Sequence, residues 1–204
     1  MRKMINQLVL SLCLIPGLGF AQQYKQEDVI INTKKDTIQI GATITVPASA
    51  GSFPALVLLS GTGPQDRDCT MAGQKLFAQV ADYLSNRGYI VLRMDARGVG
   101  KTTGNYMEAT TSDFAQDALE AVEYLKTSPQ VAVHKIGLLG HSEGGAAMSI
   151  AASQSEDVTF LVSLAGLATN GMESLLVQNE NIVRNSPATP VDQARYNQIN
   201  RLMF

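Results

Sequence analysis

Ala55-Leu56-Val57-Leu58-Leu59 contains no polar residue, and this constrains the fold more than any other stretch. A strand apolar on both sides must be covered on both faces, as in the middle of a parallel sheet. The runs Tyr89–Met94, Lys135–Leu139 and Val158–Leu164 repeat the theme. Between them lie segments of helical period. Residues 73–87 carry Leu76, Phe77, Val80, Tyr83 and Leu84 on one face, with Gly88 placed as a helix-ending glycine. Residues 113–127 carry Phe114, Ala118, Ala121, Val122 and Leu125, with Ser112 as the expected N-cap and Pro129 beyond the end. Ahead of these, residues 27–46 alternate with period two on either side of Lys34-Lys35-Asp36, predicting an antiparallel hairpin. Strands alternating with amphipathic helices make an α/β fold with a doubly wound, mostly parallel sheet.

The chain has 204 residues, 45% hydrophobic and 17% charged, with a net charge of −2. This supports one sizeable core and offers no basic block for nucleic acid. Arg2 and Lys3, the apolar run Leu8–Phe20 and the small residues Gly19 and Ala21 predict a signal peptide over 1–21, cleaved after Ala21. The protein is therefore expected to be exported, periplasmic or secreted, without a stable membrane anchor. Cys13 would leave with the signal, so Cys69 has no partner for an internal disulfide. Residues 22–170 form the expected core. Residues 171–204 are rich in Asn and Gln, with two helices expected around Pro187 and Pro190. They read as the start of a cap or lid, or as a loosely packed helical tail.

Chemistry concentrates in Gly140-His141-Ser142-Glu143-Gly144-Gly145. An apolar strand precedes it and a small-residue helix, Ala146–Ala152, follows. A serine at the tip of a tight strand-to-helix turn is a nucleophile elbow, with its hydroxyl clear of the backbone and a helix N-terminus behind it. The glycine-rich loop Ser60-Gly61-Thr62-Gly63-Pro64-Gln65 follows another strand and can offer a backbone N–H. With the N–H of Glu143, that of Thr62 would supply the two donors an oxyanion requires. The Glu143 side chain reads as a pocket or cap residue. Gly98-Val99-Gly100-Lys101-Thr102 fails as a phosphate loop, because its first glycine would fall at Asp95, and Thr103 breaks the dinucleotide fingerprint. Asp95 and Arg97 are expected to bond a loop beside the site.

The two histidines, His134 and His141, both precede Ser142. His134 opens the strand that Ser142 closes, so they stand roughly 20 Å or more apart at ~3.3 Å per residue. His141 is adjacent, and neighbouring strand side chains face opposite ways. No catalytic acid or histidine can be assigned. Asp157, Glu173 and Asp192 come later, but none follows the required strand. No ligand cluster for a metal and no cofactor motif is present.

Leu59–Asp68, Asp95–Thr102 and Gly140–Gly145, in this order and spacing, resemble the α/β-hydrolase family, and in particular bacterial secreted or periplasmic carboxylesterase-like hydrolases. The resemblance runs from about residue 27 to 170. It implies hydrolysis of a small ester or acyl substrate through an acyl-enzyme on Ser142. The family order is serine, acid, histidine, so the chain looks like the N-terminal portion of such an enzyme, a truncated form. Other readings are a non-catalytic remnant or binding protein, and an acyltransferase, thioesterase or peptidase on the same apparatus. Oligomeric state is not legible.

Overall fold

The computed structural model describes residues 23–34, 37–167 and 169–203. The signal-peptide reading, and Lys35 and Asp36 of the hairpin turn, fall outside the described residues. The strands are β1 (Tyr24–Asn32), β2 (Gln39–Pro47), β3 (Phe53–Leu59), a short ladder of β4 (Thr70–Met71) and β5 (Gln74–Lys75), then β6 (Ile90–Met94), β7 (Val131–His141) and β8 (Val158–Leu164). The helices are α1 (Leu76–Ser85), α2 (Thr111–Lys126), α3 (Glu143–Gln154), α4 (Gly171–Arg184) and α5 (Pro190–Met203).

The main sheet has six strands in the order β1-β2-β6-β3-β7-β8. β1, β2 and β6 are antiparallel neighbours, while β6, β3, β7 and β8 run parallel. The apolar run in β3 explains this arrangement. Ala55, Val57 and Leu59 join Leu92, Leu138 and the inner faces of α2 and α3. Leu56 and Leu58 point the other way, onto Phe77 and Ala81 of α1. Period-two alternation thus feeds two cores, one on each side of a doubly wound sheet.

The register of two helices differs from expectation. The segment before α1 is a tight hairpin, because Ala72 and Gly73 take left-handed conformations (φ 48° and 77°) and pair Thr70 with Lys75. The helix therefore begins at Leu76, and Leu76 and Tyr83 are exposed at 42% and 57%, off the buried stripe. α2 is capped by Thr110, not Ser112. The Thr110 hydroxyl accepts the Asp113 N–H, and the Asp113 carboxylate accepts the Thr110 N–H.

β8 forms the edge beside β7, with Leu161 and Leu164 exposed at 42% and 40%. α4 and α5 bond mainly to each other. Asn179 donates to Asn200 at 2.7 Å and Arg201 pairs with Glu180 at 2.8 Å. α4 contains no buried residue, and in α5 only Asn200 is buried. Pro190 opens α5, where its fixed φ suits the first helical turn.

Candidate active site

β7 delivers Ser142 to the carboxyl end of the sheet, the end at which open α/β sheets bind ligands. Ser142 has φ 53° and ψ −119°, a conformation that L-residues avoid and that marks functional turns. The turn is locked on both sides. The Ser142 N–H donates to Leu164 O of β8 at 3.1 Å, and Gly145 N–H donates to Ser142 O at 2.9 Å.

The neighbouring glycines are required by close approach. A Cβ on Gly144 would strike the carbonyl oxygen of Leu59 and lie 2.6 Å from that of Ser60. A Cβ on Gly140 would strike the Gly144 carbonyl, and one on Gly145 would lie 2.7 Å from Gly166 Cα. Strand, helix and the loop after β3 can meet only because these side chains are missing.

That loop passes directly over the serine: a Cβ on Gly61 would be 3.0 Å from Ser142 Cβ. Thr62, Ser142 and Glu143, the three residues singled out from the sequence, border one cleft of about 890 Å³ between the loop, α3 and α4. Among the described residues, the backbone N–H groups of Thr62 and Glu143 have no protein acceptor. The Glu143 N–H heads α3, where the unpaired N–H groups and the helix dipole favour an anion. The Glu143 carboxylate accepts from Thr111 Oγ1 at 2.8 Å, and Thr111 borders the same cleft.

Three braces hold the loop. Gly63 N–H donates to the Tyr106 hydroxyl at 2.6 Å, and Ala96 N–H donates to Gln65 O at 3.0 Å. The third is ionic: Arg67 donates to Asp95 through Nη2 at 2.5 Å, Nε at 3.1 Å and its own N–H at 2.9 Å. Burial pushes the Asp95 carboxyl up, but the bonds from Arg67 and from Lys101 N–H outweigh it and hold the carboxyl below the usual carboxylate range. The bond to Asp95 in turn raises the Arg67 guanidinium further, against its burial. Asp95 therefore bonds the loop beside the site, as expected. Arg97 instead forks onto Asp117 of α2, at 2.8 Å and 2.7 Å.

His134 lies in β7, eight positions before Ser142, and is exposed. His141 borders the cleft beside the elbow, with Nδ1 3.2 Å from where a Gly61 Cβ would stand. Asp157 pairs with Lys126 at 2.6 Å, at the start of β8 and so at the far end of the sheet. Thr189 Oγ1 donates to Asp192 at 2.7 Å. Neither these acids nor Glu173 borders the cleft that holds Ser142. Cys69 does border it, but the residue is buried, and burial, with Asp66 nearby, pushes its thiol up, so the thiol stays protonated. Tyr106 and Thr111 were not identified from the sequence. They act across 43 and 32 positions, beyond any local pattern.

Among the described residues, no three His, Cys, Asp or Glu side chains cluster as a metal site needs, and no helix is long and apolar enough to cross a membrane.

Comparison with known proteins gives this geometry a family. The chain is 33% identical to esterase EstD of Thermotoga maritima over 130 residues, which cover 64% of the chain and 30% of that protein. It is 29% identical to the mitochondrial palmitoyl-protein thioesterase ABHD10 of Bos taurus over 128 residues, 63% of the chain and 37% of the thioesterase. The match thus spans well under half the length of either relative. Among solved structures, a Pyrococcus furiosus esterase superposes with TM-score 0.60 at 21% identity, over 88% of this chain and 64% of that one, a likeness of fold alone. A hypothetical protein from Pseudomonas aeruginosa does so with TM-score 0.63 at 18% identity, over 94% and 56%. Residues 70–185 match the family described as "Serine aminopeptidase, S33". With its mostly parallel sheet, antiparallel leading strands and left-handed serine at the β7–α3 turn, the chain belongs to this family of α/β hydrolases.

Proposed function

We propose that the protein is a serine hydrolase of carboxylic esters, with Ser142 as nucleophile and the N–H groups of Thr62 and Glu143 as oxyanion donors. The observation that carries this reading is the strained Ser142 backbone at the head of α3, in the same cleft as both donors. Ser142 Oγ attacks the ester carbonyl carbon, and its proton passes through a histidine to the departing alkoxide. Water then cleaves the acyl-enzyme by the same route in reverse. The developing oxyanion lies against the two N–H groups, which need no reorganisation to receive it.

The acid and histidine, in this proposal, are supplied by sequence downstream of Phe204, and the 204 residues are the N-terminal portion of the enzyme. The much greater length of the matched esterase and thioesterase supports this. So does the position of both histidines ahead of the serine. The thioesterase relative makes thioesters the second substrate class to test. We further propose that residues 1–21 direct export, on the strength of their basic start and apolar run.

The test compares the 204-residue chain with the longer gene product, using a fluorophosphonate probe and p-nitrophenyl esters. The longer protein should label at Ser142 and turn over, and Ser142→Ala should abolish both. The shorter chain should fall several orders of magnitude below it, as loss of the triad histidine requires. A longer gene product that neither labels nor hydrolyses would leave the binding-protein reading.

A further inference from the structure

One segment reaches both arms of the oxyanion site. Tyr106 lies in a short 3-10 turn and stacks on Phe114 of α2, with ring centroids 5.3 Å apart and planes 17° from parallel. Its hydroxyl accepts the Gly63 N–H at 2.6 Å, one residue beyond Thr62. Five residues past Tyr106, Thr111 opens α2 and donates to the Glu143 carboxylate at 2.8 Å, on the residue whose N–H is the second donor. A small pocket of about 50 Å³ is bordered by Gly61 and Gly63 of the loop on one side and by Tyr106 and Phe114 on the other, so the aromatic pair stands behind the loop. Gly63 itself is left-handed, with φ 113°, and a glycine there would otherwise leave the loop free to rearrange.

We propose that Tyr106 and Thr111 are positioning residues that set the direction of the Thr62 and Glu143 N–H groups, so that the segment from Tyr106 to the first residue of α2 aligns the oxyanion hole as one unit. The inference rests on the hydrolase reading above. Catalysis by preorganised donors depends on their being fixed before charge develops. A loop that can swing loses transition-state stabilisation while still admitting substrate. Truncating either brace should therefore lower kcat and leave KM nearly unchanged.

The test uses the longer gene product with p-nitrophenyl acetate as substrate and phenylboronic acid as a tetrahedral mimic. Tyr106→Phe and Thr111→Val should each lower kcat about 10- to 100-fold, less than outright loss of a donor. KM should stay within about twofold, and phenylboronic acid should weaken by the same factor as kcat. Thr111→Ser, which keeps the hydroxyl, should restore both. Unchanged kcat in the two variants would overturn the proposal, as would a fall in kcat with no loss of boronic acid affinity. A lowered melting temperature with kcat and KM moving together would also overturn it, since that marks general loosening. Should Tyr106→Phe fail to fold, the Thr111→Val and Thr111→Ser pair decides alone. Ser142→Ala runs alongside: if turnover survives it, or if the unsubstituted protein has none, the hydrolase reading fails and the brace fails with it. Loss of turnover in Ser142→Ala with full activity in the brace variants removes the brace alone.

Discussion

The Asp95 carboxylate receives three bonds from Arg67, two from the guanidinium and one from the backbone, and this pair ties the loop after β3 to the loop after β6. Nη1 of the same guanidinium donates to Ala42 O and Thr43 Oγ1 of β2, at 2.7 Å and 2.9 Å. One side chain thereby gathers three segments on the antiparallel side of the oxyanion loop.

Removing either partner should be costly, because the side chains of Arg67 and Asp95 are only 13% and 4% exposed. Asp95→Ala or Arg67→Ala is expected to lose about 3–5 kcal/mol, the range for stranding one member of a buried pair. The double variant should lose clearly less than the sum of the two, and urea unfolding reads this directly. The pair also fixes the direction of the acid response. The Asp95 carboxyl is depressed in the folded chain, so its contribution is complete above its unfolded value of about 3.9 and fades as pH falls from there through the folded value. In that window the unfolded chain binds more protons, so stability rises with pH. Asp95→Asn should have a flatter stability profile there than the unsubstituted protein. Equal slopes would show that Asp95 is not the group responsible.

Gly144→Ala should destabilise by about 1–3 kcal/mol, the usual penalty for forcing extra volume into a close-packed site. Its methyl would meet the Leu59 and Ser60 carbonyls, which are backbone and have nowhere to go. Gly171→Ala is the control. Its Cβ meets nothing within 4 Å, so it should be neutral or gain about 0.4–1 kcal/mol. Thermal melts of the two side by side check the contrast, and a Gly144→Ala protein as stable as Gly171→Ala would refute the close approach.

Ser142→Gly should be more stable than Ser142→Ala by about 1 kcal/mol, since glycine tolerates φ 53° and ψ −119° and alanine keeps the strain. Both lack the hydroxyl, so the difference isolates the backbone term. Equilibrium denaturation measures it, and an alanine variant at least as stable as the glycine one would show a relaxed turn.

The apolar runs, one of them without any polar residue, made the parallel strands legible, and the glycine spacing around Ser142 made the elbow legible. Both signals are local in sequence, although the contacts that require them are not: Gly144 meets the Leu59 and Ser60 carbonyls, and Val57 shares a core with Leu92 and Leu138. Ser112 is a competent cap type, yet the cap is Thr110, two positions earlier. The choice is made by Asp113, which sits three residues after Thr110 and can reach back to its N–H. The helix at 73–87 hid a turn at Ala72-Gly73, where left-handed backbone overrode helical period. Helical spacing alone also put Leu76 and Tyr83 on the buried stripe, when only Phe77, Ala81 and Ser85 lie fully against the sheet. The braces from Tyr106 and Thr111 join segments far apart in the chain and could not be read from spacing.

The ground beneath Ser142 consists of main chain: Gly140, Gly144 and Gly145 pressed against the carbonyls of Leu59, Ser60 and Gly144 and against the Cα of Gly166. Such a floor has no side chains for mutation to adjust. The shape of the cleft can therefore be changed only at its walls, at Leu167, Leu175 and Gln178 and in the loop at Thr62 and Gln65.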